Sequence, residues 1–260
     1  MSPNVSESSE WPIAFFDDDY LRIYRPQFTE ERTAAEVDFL SSALAAPHGA
    51  EVLDLACGFG RHAIGMARRG YAVTGVDFNP RYLEIAAAEA RLAGVTVRWM
   101  PGDMRSLAMD RSFDAVYSFF TSFGYFSDTE NERVLGHIAR ALRPGGRFLI
   151  DMANRERHIT HPQLRTWHQR DDGALHMEEA TLDLATSRVT SRQILIPADG
   201  SAQVVKTFDL RVYTCAELTA LLARQGLVTR EVWGGSDRSL YTSESRRMIL
   251  LAERAADAAP

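Results

Sequence analysis

The sequence predicts an α/β fold in which a doubly wound, mostly parallel sheet is covered by helices on both faces. Two observations lead to this prediction. Between residues 52 and 152, short apolar runs alternate with segments of helical pattern, as in strand-helix-strand units. Between residues 161 and 213, the rhythm changes to short alternating segments separated by turn signals, which is typical of antiparallel strands. We therefore expect a parallel core domain that carries an antiparallel insertion.

The first predicted elements are two helices ahead of the sheet. Residues 13–25 combine acidic and aromatic side chains, which suggests a short helix that Pro26 ends. Thr29 is placed to cap the second helix, since a threonine hydroxyl can accept a free N–H of the first turn. We interpret residues 1–10 as a flexible tail and residues 11–46 as N-terminal lid helices.

The core domain follows, with strands and helices in alternation. Glycine or proline turns mark several boundaries, such as the Arg-Pro-Gly-Gly turn before the fifth strand. Two further strands near the end of the sequence complete a seven-stranded sheet. The predicted strands are 52–56, 71–76, 95–100, 113–119, 147–152, 227–233 and 246–253, and the predicted helices are 61–69, 80–93, 130–142 and 214–225.

Residues 161–213 form the predicted insertion. Its expected antiparallel strands are the three alternating segments 175–182, 189–196 and 203–212. We interpret this unit as a lid over the site or as a contact in a homodimer. The α/β domain itself then comprises residues 47–160 and 214–260.

Composition and charge limit the classes of function. The net charge is −6 and no run of Lys or Arg could follow a phosphate backbone, which disfavours binding to DNA or RNA. The most apolar stretch, residues 113–126, is too short to cross a bilayer, and the acidic N-terminus lacks the pattern of a signal peptide. Cys57 and Cys215 have no disulfide or zinc spacing. We therefore expect a cytoplasmic protein with no nucleic-acid, membrane or metal partner.

The strongest motif is the segment 52–60, in which an apolar strand runs into a glycine turn and then a helix. Gly58 and Gly60 allow positive φ and let a ligand approach the backbone closely. Together with Ala63 they also satisfy the dinucleotide pattern G-x-G-x-x-G/A, and Asp77 lies near the distance expected for an acid that binds ribose. Taken alone, the motif therefore leaves more than one nucleotide ligand open.

Three further features favour one of these ligands. Asp54 lies inside the first strand, where an acid is awkward for a pyrophosphate but suits a cationic ligand. Asp103 follows the third strand, and the turn at 142–146 closes the helix before the fifth. This ordered set resembles the class I methyltransferases that use S-adenosylmethionine (SAM), small-molecule branch, over about residues 50–151. Ala56 stands where that family often has glycine. The resemblance implies a Rossmann-like sheet with the insertion over the active site.

The resemblance also implies a role for each motif residue. The backbone of the glycine loop would pack against the methionine part of SAM, Asp77 would accept both ribose hydroxyls, and Asp103 would accept the adenine amino group. Phe78 would pack on the adenine, and Tyr24 and Arg25 would clamp the carboxylate. The residues implied to bind the cofactor are Tyr24, Arg25, Asp54, Ala56, Gly58, Gly60, Asp77, Phe78, Asp103, Met104 and Phe119.

The segment 119–126 would form the acceptor side of the site. Its aromatic side chains follow the fourth strand and could exclude water from a pocket. A hydroxyl acceptor would need a general base, for which His168 and Tyr125 are the candidates. The resemblance favours a small-molecule acceptor and an amine nitrogen over oxygen or carbon. The residues implied to bind the substrate are Tyr20, Ser122, Phe123 and Tyr125.

Other functions remain open at this point. An NAD-dependent oxidoreductase would need catalytic Tyr-x-x-x-Lys or histidine machinery, but the chain has no such tyrosine motif and Lys206 is its only lysine. A SAM-binding protein without methyl transfer would carry the same motifs, so only activity separates it from an enzyme. Transfer of the aminocarboxypropyl group of SAM instead of its methyl group is also compatible with this sequence.

Overall fold

The computed structural model describes residues 15–162 and 165–256 of the chain. The expected flexible tail, residues 1–10, and the start of the first predicted helix lie outside the described residues. The elements ahead of the sheet are helix α1 (Asp18–Tyr24), a 3-10 turn (Arg25–Gln27) and helix α2 (Glu30–Leu44).

Side chains cap both of these helices. The Asp17 carboxylate accepts the N–H groups of Asp19 and Tyr20 at the start of α1. The Thr29 hydroxyl accepts the Arg32 N–H at 3.2 Å, which confirms the predicted cap of α2. Between the two helices the chain turns through the 3-10 turn that contains Pro26.

Strands and helices alternate through the core domain as predicted, with shifted boundaries. The strands of the main sheet are β1 (Glu51–Leu55), β2 (Ala72–Asp77), β3 (Arg98–Pro101), β4 (Phe113–Ser118), β5 (Leu142–Ala153), β10 (Leu227–Trp233) and β11 (Arg247–Arg254). The helices that accompany them are α3 (Arg61–Arg68), α4 (Pro80–Leu92), α5 (Asp128–Ala141), α6 (Arg155–Thr160) and α7 (Cys215–Arg224).

Seven strands of the described chain form this sheet in the order β10-β11-β5-β4-β1-β2-β3. The neighbours from β5 to β3 pair in parallel, while β11 runs antiparallel to β10 and to β5. This confirms the predicted mostly parallel, Rossmann-like sheet. The strand order reverses between β1 and β4, and ligands of such sheets bind beyond the carboxyl ends of the strands at this reversal.

Apolar side chains cover both faces of the main sheet. On one face, Leu53 and Phe148 pack with residues of α5 and α7. On the other, Val52 and Leu149 pack with residues of α2 and α3. Because successive residues of a strand point to opposite faces, strands buried on both sides read as continuous apolar runs. The two layers hold the carboxyl ends of β1, β2 and β4 at one edge.

A second, antiparallel sheet occupies most of the predicted insertion. Its strands are β6 (Arg165–Gln169), β7 (Leu175–Asp183), β8 (Arg188–Ile196) and β9 (Val204–Arg211), paired in chain order. The Phe208 ring on β9 lies 5.2 Å from the Phe15 ring and 6.0 Å from the Tyr125 ring. The insertion therefore packs over the N-terminal segment and the loop after β4. Strand β6 was not predicted, because its residues are mostly exposed and show no alternation.

Gly60, just before α3, offers a test of the packing beneath the glycine loop. It has φ +81°, and a Cβ there would lie 2.5 Å from the Trp99 ring and 2.8 Å from Ala86 Cβ. We expect Gly60→Ala to lower the free energy of unfolding by about 2–4 kcal/mol, since left-handed strain adds to overpacking. Urea denaturation measures this value.

Gly94→Ala is the matched control. Gly94 also has positive φ (+67°), but a Cβ there would meet nothing within 4 Å. The control should therefore lose only the strain contribution, about 1–2 kcal/mol. Equal losses in the two variants would contradict the packing role of Gly60.

Candidate active site

A pocket lies beyond the carboxyl ends of β1, β2, β3 and β4, at the reversal of strand order. One part, the glycine-loop half, is lined by Asp54, Leu55, Ala56, Cys57, Gly58, Phe59, Arg61, His62, Val76, Asp77, Phe78, Gly102, Asp103, Met104 and Arg105. The other part, the aromatic half, is lined by Phe16, Tyr20, Phe28, Tyr82, Phe119, Phe120, Thr121, Ser122, Tyr125 and Phe126. The pocket thus joins segments that are far apart in the sequence.

The glycine loop brings the backbone to the pocket surface. Gly58 has φ +55°, and a Cβ there would point into open space, so there is room above its backbone for a ligand. Ala56 adopts φ +63°, a strained conformation for alanine and an easy one for the glycine that the family often has here. Gly60 is not a lining residue, and its missing side chain is explained by the contact with Trp99.

Asp77 lies buried at the end of β2 and holds the loop in place. Its Oδ2 accepts the Gly58 N–H at 2.8 Å, and its Oδ1 accepts the Asn79 N–H at 2.9 Å. Burial raises the pKa of this carboxyl to about 6. Each carboxylate oxygen can accept more than one hydrogen bond, so Asp77 retains capacity for ligand hydroxyls.

The side chains of Asp54 and Arg61, which can carry opposite charges, also line the glycine-loop half, and each has a buried atom without a hydrogen-bond partner. Asp54 Oδ2 and Arg61 Nη2 each have no hydrogen-bond partner. Burial raises the pKa of Asp54 to about 7. Arg61 was missed by sequence reasoning, although its place directly after the glycine loop was a usable signal. These two groups suit a ligand that carries both charges.

Asp103 and Met104 also line the pocket, together with Phe78. The Asp103 carboxylate accepts hydrogen bonds from Arg105, at 2.6 Å from Nη2 and 3.0 Å from Nε. The Arg105 guanidinium in turn lies over the Phe126 ring, 4.4 Å from its centroid. Arg105, which the sequence did not single out, therefore fixes the orientation of Asp103.

The aromatic half is built from rings that contact one another edge to face. The Phe16 ring lies 4.9 Å from Tyr20 and 5.4 Å from Tyr125. Burial raises the pKa of both tyrosine hydroxyls well above their ordinary value. Both hydroxyls therefore stay protonated at neutral pH and donate hydrogen bonds rather than take up protons.

His62 is a lining residue that does not serve as a free base. It is buried, and its Nε2 lies 2.9 Å from Glu36 Oε2. Burial lowers the pKa of its imidazole to about 4. His62 is therefore neutral at physiological pH and is held by a carboxylate of α2.

The structure does not bring all predicted residues to the pocket. Tyr24 packs on the Tyr20 ring at 4.4 Å, and its hydroxyl accepts a hydrogen bond from Gln193. Arg25 is exposed and paired with Glu89 of α4, so it does not form the expected clamp with Tyr24 at the pocket wall. Contacts with Tyr20 and Gln193 hold Tyr24 away from the pocket lining, and the pair with Glu89 does the same for Arg25.

Two further predicted residues lie away from the pocket. Phe123 is buried in the core, with its ring 5.8 Å from Tyr213. His168 is exposed on β6, where its ring lies 4.9 Å from that of His176. Neither is a lining residue. Of the two candidate bases, only Tyr125 therefore reaches the pocket.

Comparison with known proteins identifies the class to which this site belongs. Residues 52–146 match the family model described as methyltransferase domain. Together with the sheet topology, this match confirms the sequence-based identification: the segment is a class I, SAM-dependent methyltransferase domain, and SAM is the cofactor of this family.

Individual relatives agree with this class. The demethylmenaquinone methyltransferase of Thermus thermophilus is 38% identical over 102 residues, which cover 38% of this chain and 45% of the relative. The cypemycin N-terminal methyltransferase of a Streptomyces species is 27% identical over 218 residues, covering 79% and 84%. The chain spans about half the length of the first curated relatives it matches.

A solved structure extends the similarity to the whole fold. SAM-bound CalS10 is an amino pentose methyltransferase from Micromonospora echinaspora involved in calicheamicin biosynthesis. It superposes with a TM-score of 0.67 at 23% identity, over 91% of this chain and 97% of that chain. Within the described ranges, no helix has the length and apolarity to span a bilayer, and no group of three or more His, Cys, Asp or Glu side chains could hold a metal ion.

The buried Asp54 carboxyl, whose Oδ2 has no hydrogen-bond partner, leads to a prediction about stability. Its pKa in the folded protein, about 7, exceeds the ordinary 3.8, so the fold binds this proton more tightly than the unfolded chain does. The resulting destabilisation is complete above pH 7, decreases as the pH falls and vanishes below about 3.8. Without ligand, Asp54→Asn should therefore raise the free energy of unfolding by on the order of 2 kcal/mol at pH 8.

Urea denaturation at pH 8 and pH 5 checks this expectation, and the gain should be smaller at pH 5. Asp110→Asn, at an exposed position, is the control and should change stability little at either pH. A loss of stability in Asp54→Asn at pH 8, or a gain that does not depend on pH, would contradict the account of Asp54.

Proposed function

We propose that this chain transfers the methyl group of SAM to a small-molecule acceptor and that the preferred acceptor atom is an amine nitrogen. The observation that carries the proposal is the chemical difference between the two halves of the pocket. Its glycine-loop half presents the groups that the cofactor needs, and its aromatic half, among the described lining residues, presents no base suited to a hydroxyl.

The residues of the glycine-loop half fit SAM. The open space above Gly58 admits a ligand, and Asp77 retains acceptor capacity for the ribose hydroxyls. Phe78 and Met104 offer apolar surface to the adenine, and Asp103, oriented by Arg105, offers an acceptor to its amino group. When bound here, SAM supplies a methyl group that is already activated by a positively charged sulfur.

The aromatic half would act by positioning and by excluding water. Phe16, Tyr20 and Tyr125 enclose the space next to the loop after β4, and alignment of two reactants contributes a large part of the rate of such a displacement. The tyrosine hydroxyls can orient an acceptor by hydrogen bonds.

The preference for nitrogen follows from the protonation states. Tyr20 and Tyr125 stay protonated, and His62, with its pKa lowered to about 4 by burial, is a weak base engaged by Glu36. A hydroxyl acceptor would need a base to become nucleophilic, whereas a neutral amine carries its own lone pair. The relatives named above include an amino pentose methyltransferase and an N-terminal methyltransferase, which supports an amine.

Methyl transfer from trideuteromethyl-SAM, followed by mass spectrometry, tests this proposal. Matched acceptors separate the atom types: glucosamine against glucose, benzylamine against benzyl alcohol, and a short peptide with a free against an acetylated N-terminus. We expect label on amine acceptors only, and loss of transfer in Asp77→Asn. This variant should also bind S-adenosylhomocysteine about 100-fold more weakly, because an amide cannot accept hydrogen bonds on both of its terminal atoms.

The outcomes distinguish the alternatives. Label on the hydroxyl partners would overturn the preference for nitrogen. Binding of NAD in place of S-adenosylhomocysteine, measured by calorimetry, would favour an oxidoreductase and contradict the proposal. Tight SAM binding without transfer to any acceptor of a broad panel would favour a SAM-binding protein.

A further inference from the structure

We infer that Arg61 binds the carboxylate of the methionine half of SAM, while Asp54 faces the ammonium group of the same amino acid. The inference rests on the proposed use of SAM and assigns a role that sequence reasoning gave to Tyr24 and Arg25. It is carried by the geometry of Arg61 and by the charges around it.

Arg61 is held in place on one side and left open on the other. Its Nη1 donates to Glu36 Oε2 and, at 3.3 Å, to Thr33 Oγ1. The guanidinium lies over the Phe28 ring, 4.4 Å from the centroid, and the side chain is only 11% exposed. Its Nη2 is buried without a partner, and the residue lines the pocket. Protein contacts thus fix the guanidinium plane and leave one edge for a ligand.

The charge balance around Arg61 favours an anion. The Glu36 carboxylate is shared between Arg61, Arg32 and His62, with Arg32 Nε at 2.9 Å from Oε1. His62 is neutral, so one negative charge faces two guanidinium groups. Arg32 is 39% exposed and can be solvated, whereas Arg61 has almost no access to water. The buried Nη2 of Arg61 is therefore an unfilled donor on a positively charged group, and an anionic ligand would accept its hydrogen bond.

Asp54 provides the opposite charge in the same half of the pocket. Its Oδ2 is also buried and without a partner, and Arg61 lies near enough to act on the carboxyl electrostatically. A carboxyl and a guanidinium, each with one buried atom that lacks a hydrogen-bond partner, match the two ends of an α-amino acid. Among SAM-derived ligands, only those that keep the amino-acid tail satisfy both groups.

Calorimetric titration with two nucleosides tests the assignment. S-adenosylhomocysteine carries the amino-acid tail, and 5′-methylthioadenosine lacks it. We expect Arg61→Met to weaken S-adenosylhomocysteine binding at least tenfold and to change methylthioadenosine binding less than threefold. Retained binding of methylthioadenosine also shows that the variant is folded.

Arg32→Met is the matched control, because Arg32 also contacts Glu36 and lies 5.5 Å from the Phe28 centroid and 5.4 Å from the Phe120 centroid. It should change the affinity for either nucleoside less than threefold. An equal loss of both nucleosides in Arg61→Met would show a structural role for Arg61 and overturn the inference. Unchanged binding of both would overturn it as well. Failure of the unaltered protein to bind either nucleoside would instead refute the proposed use of SAM, on which the inference rests.

Discussion

The buried carboxylate of Asp77 is the interaction on which the rest of the site depends. It accepts the Gly58 N–H on one oxygen and the Asn79 N–H on the other, so it ties the loop after β1 to the start of α4. Asn79 extends this connection, because its side-chain oxygen caps α4 and its nitrogen donates to the Phe16 carbonyl. The glycine loop, the end of β2 and the N-terminal segment over the pocket are thereby held in one arrangement.

The N-terminal segment is attached a second time through α4. The Tyr82 hydroxyl donates to the carbonyl of Asp17, the residue that caps α1, at 3.0 Å. The Asp17 carboxylate also pairs with Lys206 of β9, so the same short segment joins the main domain to the insertion. The aromatic wall of the pocket is assembled from three parts of the chain: the N-terminal segment, α4 and the loop after β4. Such a wall can exclude water without contributing to the sheet itself.

The site contains buried polar atoms without hydrogen-bond partners, which a core that serves only stability would avoid. The Asp54 carboxylate and the Arg61 guanidinium are buried in an α/β core whose other strand residues are largely apolar. Buried polar atoms without a hydrogen-bond partner lower stability, so Asp54 Oδ2 and Arg61 Nη2, beside an open glycine loop, support the proposed ligand site. Ala56, in a left-handed conformation, adds local strain at the same place.

The sequence predicted best those pocket residues whose position depends only on the strand that they follow. Gly58, Asp77 and Asp103 each stand at the end of a predicted strand, so the parallel order of the strands was enough to bring them together. Asp54, which also lines the pocket, was singled out by its unusual place inside an apolar run.

The remaining site residues depend on tertiary packing that no local pattern encodes. Arg25 and Arg61 are both arginines near predicted functional segments. Glu89 of α4 pairs with Arg25 of the 3-10 turn outside the pocket, while Glu36 of α2 holds Arg61 at the pocket. In the loop after β4, Phe120 and Thr121 both have positive φ, which breaks any regular alternation. For that reason the sequence could not show that Phe120 lines the pocket and that Phe123 lies in the core.

A crystal structure with bound S-adenosylhomocysteine tests the central claim most directly. The account predicts that the ribose hydroxyls contact Asp77, that the carboxylate lies within hydrogen-bond distance of the Arg61 guanidinium, and that the ammonium group faces Asp54. A nucleoside seated elsewhere, or an amino-acid tail that turns away from both Asp54 and Arg61 into solvent, would contradict it.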